Sequence, residues 1–302
     1  MEENTAPAPG ILTLNPPRSR QHENPYVKIM RRFLRNRFAL VAVAVMVLVI
    51  LLSAGAPYLT TSDPVGRDAP NRLLPPSPTN PMGTDELGRD VLTRVLYGGQ
   101  ISLQIGFLSV LLSVVIGVPL GLISGYAGGR VDNLIMRFMD LILAFPGLIL
   151  AIWLVGLLGS SVTNVILAIT VFSLPTYARL TRGATLSLQN AEYVVAAYSI
   201  GATPLRIVMY HIFPNIFGSL IVVATLSFSG AIVTGASLSF LGLGVRPPTP
   251  EWGALLAAGR SYMRNAWWIS FFPGIVITVV VLALNIVGDG IRDALDPNLT
   301  SK

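Results

Sequence analysis

Residues 191–215 read AEYVVAAYSIGATPLRIVMYHIFPN, a polar interruption with apolar segments on either side. The stretch is too short, and its side chains too small, to form a domain. Its pattern predicts two short helices joined by a tight turn. The first runs through Glu192, Ala196 and Ala197 and stops at Gly201, because glycine takes the left-handed backbone past a helix end without steric cost. Thr203 then caps a second helix that opens on Pro204, and Pro214 closes it. Two alanines followed by a glycine leave a surface that another protein's groove can approach closely. A plain pair of linker helices lying on a membrane surface fits the same residues.

Working outward, the flanks decide the class. The chain of 302 residues is 52% hydrophobic and only 12% charged. Soluble domains carry roughly 25% charged residues. Crossing about 30 Å of hydrocarbon takes about 20 apolar residues. Six runs approach that length: Phe38–Leu59, Ile101–Ser124, Leu134–Leu158, Val165–Leu180, Ile216–Leu241 and Phe272–Val287. The expected fold is an all-α membrane protein of six transmembrane helices, counting the N-terminal extra span, with residues 191–215 as a cytoplasmic loop. An even number of spans puts both termini on the cytoplasmic side. Lys28, Arg31, Arg32, Arg35 and Arg37 crowd the entrance to the first span, the arrangement of a cytoplasmic N-terminus. They account for the net charge of +6 better than a nucleic-acid partner does.

The organisation follows in order. Residues 1–26 read as a disordered cytoplasmic tail rich in Pro, Asn, Ser and Glu, and 27–60 as the first span. The apolar run after Arg37 has no small-residue cleavage site, so it is retained rather than removed as a signal. Residues 61–100 form an external loop and an amphipathic helix. In that helix Thr84 caps, Asp85/Arg89 and Asp90/Arg94 pair at i,i+4, and Leu87, Val91 and Val95 make the apolar face. The core domain is 101–302.

Within the core, Gly117, Gly121, Gly125 and Gly129 form a small-residue stripe for close helix packing, and Pro119 is expected to kink that helix. Arg137 and Asp140 lie three apart and are expected to neutralise each other. The fifth span is rich in small and hydroxyl residues, among them Ser227, Ser229, Thr234 and Ser237, which either pack tightly or line a wet route. Trp252, Trp267 and Trp268 suit a membrane interface.

The spacing of Ala196, Ala197, Gly201 and Pro214 resembles the cytoplasmic loop signature of binding-protein-dependent ABC importer permeases. Val195 stands where that family usually has an acid. The acid is instead Glu192, as in the dipeptide/oligopeptide branch, and His211 and Phe213 also depart from the general pattern. Three further strings resemble the same branch: NPMGTDELGRDVLTRVLYG at 80–98, PPTPEWG at 247–253 and GDGIRDALDP at 288–297.

The resemblance implies a permease subunit for dipeptides, oligopeptides or related small solutes in an inner membrane. Its partners would be a homologous second permease, two ATP-binding subunits and an extracytoplasmic binding protein. It also implies a coupling role for the loop. Ala196, Ala197 and Gly201 would give close approach to the ATPase. Glu192, Tyr193, Thr203, Pro204, Arg206, His211 and Pro214 would complete the contact.

No cofactor is expected in this chain, because ATP would be bound by the partners. A phosphate-binding loop needs Gly-Lys followed by Ser or Thr, and neither Lys28 nor Lys302 has that setting. Nor is an enzyme expected. Ser237 would need a histidine in reach, and His211 lies on the order of 39 Å away along a helix. With no cysteine and two histidines, a catalytic zinc site is not expected either. The alternative from another class is an ion-gradient-driven transporter or channel. Its relay would need acids deep in the spans, and Asp140 and Asp289 are the candidates.

Overall fold

A computed structural model describes residues 25–295, and helices account for nearly all the regular structure among them. The expected tail 1–26 lies mostly outside the described residues; Pro25 and Tyr26 already belong to the first helix. That helix, α1 (Pro25–Arg35), ends at Asn36, whose side chain accepts from Ala39 N at 3.1 Å and so caps α2 (Arg37–Ala54). A short α3 (Ala56–Leu59) follows Gly55. An irregular segment then leads to α4 (Val91–Ala127), α5 (Gly129–Leu143), α6 (Gly147–Leu158) and α7 (Val162–Leu188). Next come α8 (Glu192–Ser199), α9 (Pro204–Ile207), a π turn at Val208–Ile212 and α10 (Phe213–Phe240). The chain closes with α11 (Trp252–Gly259) and α12 (Trp268–Leu295).

Among the described residues five helical stretches are long and apolar enough to cross a membrane, and α5 with α6 makes a sixth if counted as one span. The expected third span is therefore broken rather than straight: α5 and α6 meet at 88°. The cause is local. Pro146 has no N–H to give, disfavours α backbone in the residue before it, and itself adopts ψ 128° before α6 begins. Pro119, in contrast, lies inside an uninterrupted α4.

The most extensive helix contact joins α4 to α7, and the glycine stripe makes it. A Cβ on Gly117 would stand 2.9 Å from Tyr177 Cβ, and one on Gly125 2.7 Å from Thr185 Cβ. One on Gly121 would collide with the carbonyl oxygen of Ala178. Gly129 falls outside the stripe, past the end of α4, with φ +52° and open space around it. Buried hydroxyls add to the seam: Ser113 donates to Thr170 O at 3.2 Å, and Thr170 to Ser109 O at 3.4 Å.

On the face opposite the 191–215 loop, the expected amphipathic helix at 83–99 splits in two. Residues 84–90 form a tight loop and only Val91 onward is helix, continuous with the second span. Gly88, at φ +81°, is incompatible with a helix there, and Asp90 rather than Thr84 is the cap, accepting from Thr93 N at 2.7 Å. Thr84 instead ties the loop together, donating to Asn71 O and accepting from Leu74 N. Asp85 collects two buried arginines: Arg89 Nε at 2.7 Å and Arg94 Nε at 3.4 Å. The expected Asp90/Arg94 pair does not form, because Arg94 turns to Asp85 and to Pro64 O.

The tryptophans close this face. Trp252 is buried and donates to Val95 O at 2.9 Å, and Trp268 is buried and donates to Thr84 O at 3.0 Å. Both are core residues; Trp267 alone of the three is exposed. Glu251, 1% exposed, caps α11 through Gly253 N and Ala254 N and accepts from Ser102 Oγ.

Candidate functional site

The 191–215 stretch folds as two short helices about a glycine turn. Ala191 N-caps α8 by its backbone, and the helix ends at Ile200 before Gly201 at φ +83°. No atom outside the turn lies within 4 Å of where a Gly201 Cβ would stand, so the glycine serves the backbone and leaves the space in front of it empty. Thr203 holds the N-cap position of α9 with extended backbone, yet its side chain makes no capping bond. Its carbonyl accepts from Ile207 N at 3.0 Å.

Pro214 does not close the second helix. A π turn absorbs it: Phe213 N reaches five residues back to Val208 O, and the Asn215 side chain donates to His211 O at 2.7 Å. The chain therefore passes from the loop into the fifth span without a break.

Two faces of this unit differ sharply. Val194, Ile207 and Ile212 are buried in the main core cluster, which also holds Leu122 and Ile216, and Ala197 is buried beside them in sequence at 6% exposure. Ala197 is thus a seat for α8 and not a contact surface. At 100° per residue its neighbour Ala196 points elsewhere, and Ala196 is exposed. The outward face is apolar and bare: Ile200 is 87% exposed, Tyr210 75%, Leu205 73% and Tyr198 70%. Tyr193 and Met209 extend it. Glu192, Gly201, Thr203, Pro204, Arg206 and Pro214 are exposed around it, and His211 is half-buried.

Charge ties hold the helices that lead into this unit. Arg182 on α7 grips Asp132 on α5 with two bonds, 2.5 and 2.6 Å, and Ser124 at the end of α4 donates to the same carboxylate. Arg179 pairs with Asp140 at 2.6 Å. The expected Arg137/Asp140 pair is replaced by this one. Sequence reasoning missed both cross-helix pairs. Arg179 and Arg182 share the i,i+3 spacing of Arg137 and Asp140, but only the packing of α5 on α7 matches them.

The hydroxyls of α10 separate as well. Ser229 is buried and donates to Asn285 Oδ1 on α12 at 2.8 Å, so it belongs to helix packing and not to a lining. Ser227 and Thr234 are partly exposed. Ser237 lines an open groove of about 340 Å³ with Val233, Phe240, Leu256 and Ile277, and its hydroxyl is satisfied within the helix by Val233 O. Among the described residues no cluster of His, Asp or Glu is placed to hold a metal.

These features, a helical core tied by close glycine contacts and a bare apolar loop at one end of the spans, describe a helical membrane protein with one surface open to a contact. The fold agrees: an inward-facing MetNI methionine ABC transporter structure superposes with TM-score 0.56 at 20% identity, over 67% of this chain and 96% of that one. Residues 117–301 match the binding-protein-dependent transport system inner membrane component, and residues 24–76 the N-terminal TM domain of oligopeptide transport permease C. The di/tripeptide transport system permease protein DppC of Pseudomonas aeruginosa is 44% identical over 92% of this chain and 94% of its own length. The dipeptide permease DppC of Haemophilus influenzae is 45% identical over 88% and 92%, and the glutathione permease GsiD of Pectobacterium atrosepticum 43% over 96% and 97%. The chain belongs to the binding-protein-dependent transport permeases, in their dipeptide/oligopeptide ABC importer branch. It is a multi-pass inner-membrane protein that works with the other components of such an importer.

Proposed function

We propose that this chain forms half of the path by which di- and oligopeptides, or related small solutes, enter the cell, and that residues 191–214 couple it to ATP hydrolysis on a separate subunit. The second half would come from a homologous permease, with two ATP-binding subunits below and a binding protein above. Both termini and the 191–214 loop lie on the cytoplasmic side in this reading, in keeping with the basic entrance to α2. The observation that carries the coupling role is the exposed row Tyr198, Ile200, Leu205 and Tyr210 on a loop whose other face is locked into the core.

Apolar side chains bare on a short polar-flanked loop mark a protein contact. Glu192, Arg206 and His211 supply polar contacts at its rim, and Gly201 and Ala196 admit close approach. The Arg182–Asp132 and Arg179–Asp140 pairs fasten α7 to α5, so a push on the loop moves several helices together. Thr234, Ser237 and Ser227 contribute weakly holding hydroxyls to the path.

The test is ATP-driven uptake of a labelled dipeptide by vesicles containing the assembled importer. The double variant Ile200→Asp with Leu205→Asp is expected to insert normally and take up nothing. Uptake at the unaltered rate would overturn the coupling assignment.

A further inference from the structure

The helix preceding the first span has a face the transport mechanism does not use. In α1, Val27, Met30 and Leu34 recur at i, i+3 and i+7, and all three are more than half exposed. With Arg31 they line one shallow groove. The neighbouring arc of the helix carries Lys28, Arg31, Arg32 and Arg35. Arg37 follows after the break at Asn36. The third arc is anchored: Phe33 reaches Gly290 of α12, where a Cβ would come within 3.3 Å of its ring. One side is thus fixed to the bundle, one is apolar and bare, and one is cationic.

We propose that α1 is an interfacial helix that binds the anionic phospholipids of the leaflet it enters. Two observations point to lipid as the occupant. The bare apolar row is continuous with the exposed face of α2, a helix long and apolar enough to cross a membrane, on which Phe38, Val41 and Leu48 are exposed. The bordering cations have a polarity that suits phosphate groups at the depth where an amphipathic helix rests. Val27, Met30 and Leu34 enter the acyl boundary, while Arg35 lies at headgroup level on its long aliphatic stem. The cytoplasmic leaflet rests on the orientation proposed above; the lipid contact itself does not.

The chain has no cysteine, so Met30→Cys gives one labelling site in the full-length protein. A polarity-sensitive fluorophore there, in vesicles of phosphatidylcholine and phosphatidylglycerol, is read against spin-labelled versions of each lipid. The expected result is a blue-shifted emission, quenched roughly fivefold more strongly by the labelled phosphatidylglycerol. Arg35→Glu with Arg37→Glu should remove that preference, and the milder Arg35→Gln should reduce it. Emission at the water wavelength, or equal quenching by both lipids, would overturn the proposal. So would quenching that vanishes when the ATPase subunits bind, since a protein would then cover this face. Failure of peptide uptake bears on the loop alone and leaves this contact intact.

Discussion

The two ends of the molecule are built in opposite ways. At one end, residues 60–100 and 251–268 bury and pair several of their charged and aromatic groups within the chain, with Glu86 Oε2, Asp90 Oδ1 and Arg94 Nε buried without a hydrogen-bond partner. Asp85 neutralises two buried arginines, Glu251 caps a helix while accepting from Ser102, and two tryptophans donate to backbone carbonyls. At the other end, the loop between α7 and α10 leaves its largest apolar residues bare and its N-caps without side-chain bonds. A surface that buries its large side chains serves as scaffold, and one that leaves them bare has room for a partner. The difference separates residues that hold the fold from residues proposed to couple it to the ATPase.

That contrast can be broken in graded steps, ordered by the expected effect on folded stability. Asp85→Ala leaves the buried Arg94 without a carboxylate and the buried Arg89 with Glu86 alone. A loss of about 3–5 kcal/mol is expected, seen as a lowered unfolding temperature in detergent. Gly121→Leu forces a side chain into the carbonyl of Ala178, and about 1–3 kcal/mol should be lost in the same assay. Gly201→Ala meets open space but must hold φ +83°, which costs about 1 kcal/mol and leaves docking nearly unchanged. Ile200→Asp with Leu205→Asp should move stability by less than about 0.5 kcal/mol while abolishing uptake. A large stability loss in that last variant would mean the loop is scaffold after all.

Much of this was legible in the sequence, for definite physical reasons. Apolar run length gave the spans, and four-residue glycine spacing gave the α4–α7 seam, because both signals are one-dimensional. Gly201 announced the turn. The sequence misled where a local rule met a tertiary competitor. Asp85/Arg89 looked like a helical pair, but Gly88 made the segment a loop, and Asp85 also took Arg94 from Asp90. Arg137/Asp140 looked self-sufficient until α7 brought Arg179 to Asp140. Ala196 and Ala197 read alike in the string, yet one helical step puts the first outside and the second in the core. Ser229 was indistinguishable from Ser237 until Asn285 was seen across from it. The AFPG string at 144–147 did carry a signal for the broken third span, since a proline ahead of a glycine ends helices.

We propose above all that the 191–214 loop is the seat of the ATPase. Gentle purification of the chain from its native membrane, with companions identified by mass spectrometry and ATP hydrolysis assayed, tests it most directly. A second permease and one or two ATPases should come with the unaltered chain, and Gly201→Asp should release the ATPases without unfolding the bundle. A chain that purifies alone and moves solute into liposomes without ATP would contradict the account and turn attention to Asp140 as an ion relay.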